Sequence, residues 1–347
     1  MPQARRMCRD VLELGRTVPT YREPRYDIVI SFCKEKGPMK RIFLFLVTNL
    51  AVLALLSVVI FVIEQVFGVR LGHGGLGQRG MGGLLVFAAI FGFGGSLISL
   101  ALSKWTAKRL MDVRLIVSPQ SDVERWLVTT VKHLADQAHI GMPEVGVFDA
   151  EDMNAFATGA RRNAALVAVS SGLLRGMSRT QIEAVLGHEI SHVANGDMVT
   201  LALLQGVLNT FVIFLARIIG GIVDRVLFKN DRAESGIGFF LTTMVAQIVL
   251  GIFASMIVSW YSRRREFRAD RGSADLVGSG AMIRALEVLK RSHGEPMPPQ
   301  MQAFGINTGG SARGGGATGG GGGFTRLFMS HPPLDERIAA LHSQESK

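Results

Sequence analysis

Four long apolar runs divide this sequence. Residues 42–63 contain no charged side chain, and residues 83–102 form a second such run that is rich in Gly, Ala and Ser. The third run covers residues 198–223 and is interrupted by Arg217, and the fourth covers residues 236–262. A helix of about 20 apolar residues crosses the ~30 Å hydrocarbon core of a bilayer. The sequence therefore predicts a mainly α-helical membrane protein with four transmembrane helices.

Composition and charge agree with this prediction. Hydrophobic residues make up 48% of the chain and charged residues 19%, whereas buried helices of soluble proteins rarely stay uncharged over such lengths. That alternative stays open chiefly for the third run, where Arg217 would have to extend to the interface. The net charge is +10, the basic residues concentrate at the ends of the runs and in the leading segment, and no nucleic-acid-binding motif accompanies them. We expect contact with the lipid bilayer and none with nucleic acid.

Lysine and arginine residues predict the orientation of the chain. Lys40 and Arg41 precede the first run, several basic residues follow the second, and the series Arg263 to Arg265 follows the fourth. Since such residues favour the cytosolic side of a membrane, we expect both termini and the polar segment 104–197 in the cytosol. The argument is weaker for the second hairpin, because its turn carries charges of both signs.

The polar segment contains the pattern H-E-x-x-H, formed by His188, Glu189 and His192. Ser178 and Gln181 form a capping-box pattern ahead of it, and Gly196 is a typical helix-ending residue after it. The H-E-x-x-H pattern therefore lies within a predicted helix. Two histidines four residues apart share one face of a helix and can bind one metal ion. Glu189 can then act as general base on a water bound to that metal, which is the signature of a zinc-dependent peptidase.

A catalytic zinc usually takes three protein ligands, so a third ligand is required. Glu266 is the best candidate, because it follows the fourth run on a predicted helix from Glu266 to about His293. Asp270 lies one turn further along the same face and could hydrogen-bond a ligating histidine. By spacing alone, a solvated charge cluster with the neighbouring arginines is an equally good interpretation of these two residues.

The remaining segments differ clearly in composition. Residues 1–38 are polar, and we expect Met39, followed by Lys40 and Arg41, to be the true start of the chain. The polar segment 104–197 is predicted to contain a helix at 122–138 and strands at 144–148 and 165–170. The rest divides into a polar segment at 263–308, a glycine-rich linker at 309–323 and a C-terminal segment at 324–347.

Five motifs together resemble the HtpX heat-shock proteases, which are membrane zinc metalloendopeptidases related to the CAAX prenyl proteases. They occur in the family's order from residue 39 to near the end and comprise Met39-Lys40-Arg41, Asn154-Ala155-Phe156-Ala157-Thr158-Gly159, Leu186-Gly187-His188-Glu189-Ile190-Ser191-His192, Arg265-Glu266-Phe267-Arg268-Ala269-Asp270 and His331-Pro332-Pro333. The leader 1–38 and the long glycine tract have no counterpart in this pattern.

The resemblance implies a cytosolic α+β protease domain of the zincin (gluzincin-like) type. It makes His188, His192 and Glu266 the ligands of one zinc ion per subunit, Glu189 the catalytic carboxylate and Asp270 a supporting residue. It also implies stress-related quality control, in which damaged or misfolded membrane proteins are cut on the cytosolic side of a bacterial inner membrane.

Two further residues have open roles. Asn154 could pair with a substrate backbone or simply form a turn, and His331 could stabilise the oxyanion of the reaction or brace the C-terminal segment. Self-cleavage is a further possibility, suggested by the glycine tract.

Two alternative functions are less favoured. Intramembrane site-2-type proteases use the same motif inside a membrane span with an Asp-Gly ligand, but no Asp-Gly dipeptide occurs in this chain. A scaffold with a structural zinc would need a fourth protein ligand, and the sequence near the motif offers no cysteine for it.

Overall fold

The computed structural model describes residues 80–228, 236–292 and 326–345, together with Val58. All of them belong to the unit Val52–Lys347. The leader 1–38, the glycine-rich segment 309–323 and, apart from Val58, the predicted first span 42–63 lie outside the described residues.

The described part of the chain is mainly helical and contains one small sheet. Its helices are α1 (Gly80–Leu110), α2 (Asp122–Gln137), α3 (Ser171–Gly176), α4 (Arg179–Asn195), α5 (Asp197–Leu227), α6 (Ile237–Val277), α7 (Ser279–Arg291) and α8 (Leu334–Glu345). Its strands are β1 (Arg114–Leu115), β2 (Glu144–Phe148), β3 (Ala155–Thr158) and β4 (Leu166–Ser170).

Three of these helices, α1, α5 and α6, are long and apolar enough to cross a membrane. They contain the predicted spans 83–102, 198–223 and 236–262 in that order, although α6 begins one residue later than the predicted span. Helix α5 packs against both α1 and α6, while large apolar side chains such as those of Phe211, Phe240 and Phe253 remain exposed. Exposed apolar surface of this extent is typical of helices that face lipid. The described residues therefore contain three candidate membrane spans, which indicates a membrane protein.

Helix α6 differs from the prediction of a span followed by a separate helix. It runs without a break for 41 residues and ends at Val277, where Gly278 has a φ of 97°. At 1.5 Å per residue its length is about 60 Å, roughly twice the thickness of the hydrocarbon core. The arginines and glutamate after the span do not end the helix because both residue types are good helix formers. The C-terminal third of α6 thus carries Glu266 and Asp270 beyond the apolar part.

The four strands form a mixed sheet in the order β1-β2-β4-β3. The central strands β2 and β4 are parallel, and each outer strand is antiparallel to its neighbour. The strands at 144–148 and 165–170 and the helix at 122–138 agree with the sequence interpretation within a residue. The edge strand β3 was not predicted, since its sequence Ala-Phe-Ala-Thr is short and shows no polar alternation.

Side chains on the two faces of the sheet enter different hydrophobic clusters. Phe148, Phe156 and Leu166 belong to a small cluster on one face. On the other face, Ala157 and Val169 join the main core, in which the apolar side of α4 is buried together with α2 and α7. Helix α4 consequently packs against the sheet next to β3.

Helices α4 and α6 approach each other closely because small residues line their contact. Ser273 on α6 donates a hydrogen bond to the carbonyl oxygen of Ala184 at 2.6 Å. A Cβ atom at Gly272 would lie 2.5 Å from Oγ and 2.9 Å from Cβ of Ser191 on α4. Only glycine therefore permits this separation of the two helices.

Replacing Gly272 with Ala is expected to push α6 away from α4. Overpacking of this kind costs about 1–3 kcal/mol, although alanine regains up to about 1 kcal/mol of helix propensity. We expect a lower midpoint of thermal unfolding in detergent and weaker metal retention.

The matched control is Gly251→Ala on the same helix, where an added Cβ meets no atom within 4 Å. This variant should unfold at or above the wild-type temperature. Equal midpoints and equal metal retention in the two variants would contradict the role of Gly272.

Candidate metal centre

The H-E-x-x-H pattern lies in the middle of α4, as its local sequence predicts. Ser178 accepts a hydrogen bond from the backbone N–H of Gln181, whose side chain accepts one from the backbone N–H of Ser178 at 2.9 Å. At the other end Gly196 adopts a left-handed conformation with a φ of 68°, which ends the helix and begins α5. His188, Glu189 and His192 are all buried.

Two imidazoles and one carboxylate converge on a common point. The Nε2 atoms of His188 and His192 are 3.1 Å apart. Glu266 approaches both from α6, with one oxygen 3.4 Å from Nε2 of His188 and the other 3.4 Å from Nε2 of His192. Both carboxylate oxygens are buried and neither forms a hydrogen bond of good geometry, although Nδ1 of His331 lies 2.9 Å from Oε2.

This arrangement fits a metal ion by two tests. Ligands about 2.0–2.1 Å from a tetrahedral metal lie about 3.3–3.4 Å from one another, close to the distances observed here. The buried groups around the site also leave a net negative charge if the histidines are neutral, since four carboxylates face two buried guanidinium groups and the half-exposed Arg268, which pairs with Asp197. A divalent cation would balance that charge. The residues counted are Glu189, Asp197, Glu266, Asp270, Arg265 and Arg337.

The other ring nitrogens of both histidines contact carboxylates. Nδ1 of His188 lies 2.9 Å from Oδ1 of Asp270, and Nδ1 of His192 lies 2.6 Å from Oδ2 of Asp197. If each Nδ1 carries the proton, the lone pair of each Nε2 points to the common site, which is the usual arrangement of metal-binding histidines. Asp270 thus lies within hydrogen-bond distance of His188, and its supporting role stays a prediction.

Asp197 was missed in the sequence interpretation, where it only marked the end of the polar segment. It is the first residue of α5, directly after the left-handed Gly196, and its Oδ2 contacts Nδ1 of His192. Arg268 on α6 also pairs with this carboxylate. The sequence did contain a signal for Asp197, because it is an acidic residue directly after Gly196 and five positions after the candidate ligand His192.

Arg337 was also missed and is fully buried. Its Nε donates to Oδ2 of Asp270 at 2.7 Å, and its Nη2 donates to the other oxygen of the same carboxylate. Its Nη1 lies 3.7 Å from Glu266. In the sequence, Arg337 shares a helical face with Leu334, Ile338 and Leu341, and a charged residue on an apolar face would have indicated a buried partner.

The close packing of buried charged groups shifts the pKa values of several of them. Burial opposes protonation of His188, but Asp270 and Glu266 outweigh it and raise the pKa of the imidazole. The same balance between burial and the carboxylates of Glu266 and Asp197 raises the pKa of His192 to about 9. Burial raises the pKa of the Glu189 carboxyl, and despite burial the paired carboxylate of Asp270 raises the pKa of Arg337.

The two other predicted site residues are His331 and Asn154. His331 contacts it directly, since its Nδ1 is 2.9 Å from Oε2 of Glu266. Asn154 is buried immediately before the edge strand β3, where its carbonyl accepts a hydrogen bond from the backbone N–H of Ser170 at 2.8 Å. Glu189 faces the same strand, because the backbone N–H of Ala157 donates to its carboxylate.

Comparison with known proteins gives a consistent family assignment. The family model "Peptidase family M48" matches residues 121–345. The chain is 58% identical over 308 residues to "Protease HtpX" of Alkalilimnicola ehrlichii, covering 87% of this chain and 97% of that protein. It is also 58% identical over 307 residues to "Protease HtpX homolog" of Thiobacillus denitrificans, covering 88% of this chain and 99% of the relative.

A solved structure shares the fold. The crystal structure of S. mikatae Ste24p superposes with a TM-score of 0.58 at 18% sequence identity, covering 87% of this chain and 67% of that one. The resemblance inferred from the five motifs is confirmed by the family match and by the two relatives. The chain therefore belongs to peptidase family M48, as a membrane metallopeptidase of the HtpX group.

Proposed function

We propose that this chain is a zinc endopeptidase that cleaves damaged or misfolded proteins, membrane proteins above all, on the cytosolic side of a bacterial inner membrane. The observation that carries the proposal is the convergence of His188, His192 and Glu266 directly beside Glu189. The metal centre lies four residues beyond the apolar run of α6, about 6 Å along the helix. Membrane-embedded proteins that lose their packing would therefore be presented close to it.

Zinc is the metal that this donor set favours. Two imidazole nitrogens and one carboxylate oxygen are the ligands of many catalytic zinc sites, in which the fourth position stays open. When bound, the metal supplies a Lewis acid that polarises the scissile carbonyl and activates a water molecule. Asp270 and Asp197 act as positioning residues that hold the two imidazoles in the tautomer required for binding.

Glu189 acts as the general base. Its carboxylate takes a proton from the attacking water and later gives it to the amine that leaves when the peptide bond breaks. Burial raises the pKa of this carboxyl, so the protonated form needed in the second step is easier to reach. The Ala157 N–H fixes the orientation of the carboxylate.

The edge strand β3 is suited to bind a substrate in extended form. The hydrogen bond from Ser170 to Asn154 fixes the pairing, so Phe156 and Thr158 bond to β4 in alternation. The backbone groups of Ala155 and Ala157 then point away from β4, towards the side of Glu189. The Ala157 N–H is already bonded to Glu189, so a substrate that reaches this buried edge would pair with the remaining backbone groups. Such hydrogen bonds give affinity that does not depend on sequence.

His331 and Asn154 complete the proposed site. His331 lies against Glu266, where its imidazole could donate to the oxyanion that forms on the attacked carbonyl. The same contact also braces the C-terminal segment, and both roles are compatible. Asn154 immediately precedes strand β3, with which the substrate is proposed to pair. Self-cleavage within 309–323 remains an expectation from the sequence alone.

Glu189→Gln is expected to keep the metal but lower the turnover of an unfolded substrate about 10²- to 10⁴-fold, because the general base is lost. Protein purified with chelator in detergent should be inactive and regain activity with zinc only when Glu189 is present. Glu183→Gln on the same helix is the matched control and should cut like wild type. Wild-type turnover in Glu189→Gln would contradict the assignment, and zinc binding without cutting by any variant would favour a structural zinc site.

Asp197→Asn should weaken zinc binding about 10- to 100-fold, because His192 loses the carboxylate that orients it. Asparagine keeps the size of the side chain and suits the start of a helix. Zinc affinity measured by competition with a chromophoric chelator gives the readout. Asp275→Asn, an exposed position on α6, is the control, and equal affinities of both variants would refute the role of Asp197.

The cytosolic location of the centre can be tested by thiol labelling. With Cys8 and Cys33 replaced by Ser, Asp122→Cys places one thiol on the highly exposed start of α2. A membrane-impermeant maleimide should label it in inverted inner-membrane vesicles and not in intact spheroplasts. The reverse pattern would show that the positive-inside argument fails for this chain.

A further inference from the structure

Three consecutive apolar residues precede the C-terminal helix. Leu327, Phe328 and Met329, named here the apolar turn, are each 37% exposed. The backbone N–H of Met329 donates to the carbonyl of Arg326, so these residues form a single helical turn. Their exposure is unusual for a segment that leads directly to a buried metal centre, because His331 follows only two residues later.

Hydrogen bonds attach the apolar turn to one short stretch of α6. Ser259 donates a hydrogen bond to the carbonyl oxygen of Phe328 at 3.2 Å. Nη1 of Arg263 donates to the carbonyl oxygens of Arg326 at 3.1 Å and Met329 at 2.6 Å. Ser259 and Arg263 are one helical turn apart, so the apolar turn lies beside this stretch of α6.

This level of α6 has the features of a membrane–water boundary. The apolar run ends at residue 262, and the three arginines Arg263 to Arg265 follow it. Trp260 is half exposed, and the guanidinium of Arg264 lies over its ring at 4.8 Å from the centroid. Tryptophan concentrates at this boundary, and arginines next to it attract anionic headgroups. Phe253 and Ile257 extend the exposed apolar surface towards the centre of the run.

We propose that the apolar turn inserts into the boundary between headgroups and acyl chains, and that this lipid contact helps to hold the C-terminal segment 326–345 against the metal centre. The turn lies at the level of α6 where the apolar run ends, and Arg263 holds its backbone there. Arg326 beside it is paired with Glu336. The contact itself does not depend on the proposed peptidase function. Its consequence does, because the segment that it holds carries His331 and Arg337.

Depth measurements with labelled protein test the lipid contact. In full-length protein with Cys8 and Cys33 replaced by Ser, Met329→Cys is labelled with an environment-sensitive dye and reconstituted in nanodiscs of phosphatidylethanolamine and phosphatidylglycerol. Lipids spin-labelled near the headgroup should quench this dye severalfold more than the same dye at Met142→Cys. Met142 is the matched control, an exposed methionine between α2 and β2.

A second measurement avoids the dye. Leu327→Ser combined with Met329→Ser should make the C-terminal segment in nanodiscs more sensitive to trypsin at Arg326, whereas Val117→Ser with Met142→Ser should not. Quenching at position 329 no stronger than at 142, with unchanged trypsin cleavage, would overturn the proposal. Quenching that appears only with a spin-labelled unfolded protein would also overturn it and assign the turn to substrate.

Discussion

The buried ion pair between Asp270 and Arg337 is the interaction on which the metal centre depends. Neither charge reaches solvent, and removing two ions from water costs several kcal/mol each unless they are paired and hydrogen-bonded. Arg337 meets this requirement with two donors to one carboxylate, and Asp270 also holds His188. The pair therefore joins the C-terminal helix α8 to α6, and both to α4. Helix α8 consequently contacts the candidate metal centre although it is far from the other elements in sequence.

Helix α6 contains both an apolar run and residues of the candidate metal centre. Its first part is an apolar span, and its last part supplies Glu266, Asp270 and the small residues that pack on α4. Since one continuous helix carries both parts, the distance from the apolar run to the candidate metal centre is set by the rise of the helix and not by a loop. The same geometry attaches the apolar turn to Ser259 and Arg263 while His331, two residues after the turn, contacts Glu266.

Local patterns predicted much of this structure. The capping box and Gly196 defined α4, and the uncharged runs defined α1, α5 and most of α6, because helix ends and lipid-facing surfaces depend on near neighbours in sequence. The uninterrupted course of α6 was not predicted, since good helix formers surround Glu266 but nothing local distinguishes one long helix from two. Strand β3 was missed because four buried residues carry no alternation. Its status as a strand depends on pairing with β4.

The sequence by itself determined the candidate chemistry. His188, Glu189 and His192 share one turn of a helix, and their relation follows from helix geometry alone. Spacing left Glu266 and Asp270 undecided between ligands and a solvated cluster, and only the resemblance of the surrounding motif favoured the metal. Tertiary structure decided that they meet the histidines, and it alone added Asp197 and Arg337. The physical reason is that a buried charge finds its partner in space, across 67 residues between Asp270 and Arg337, and no local pattern records that distance.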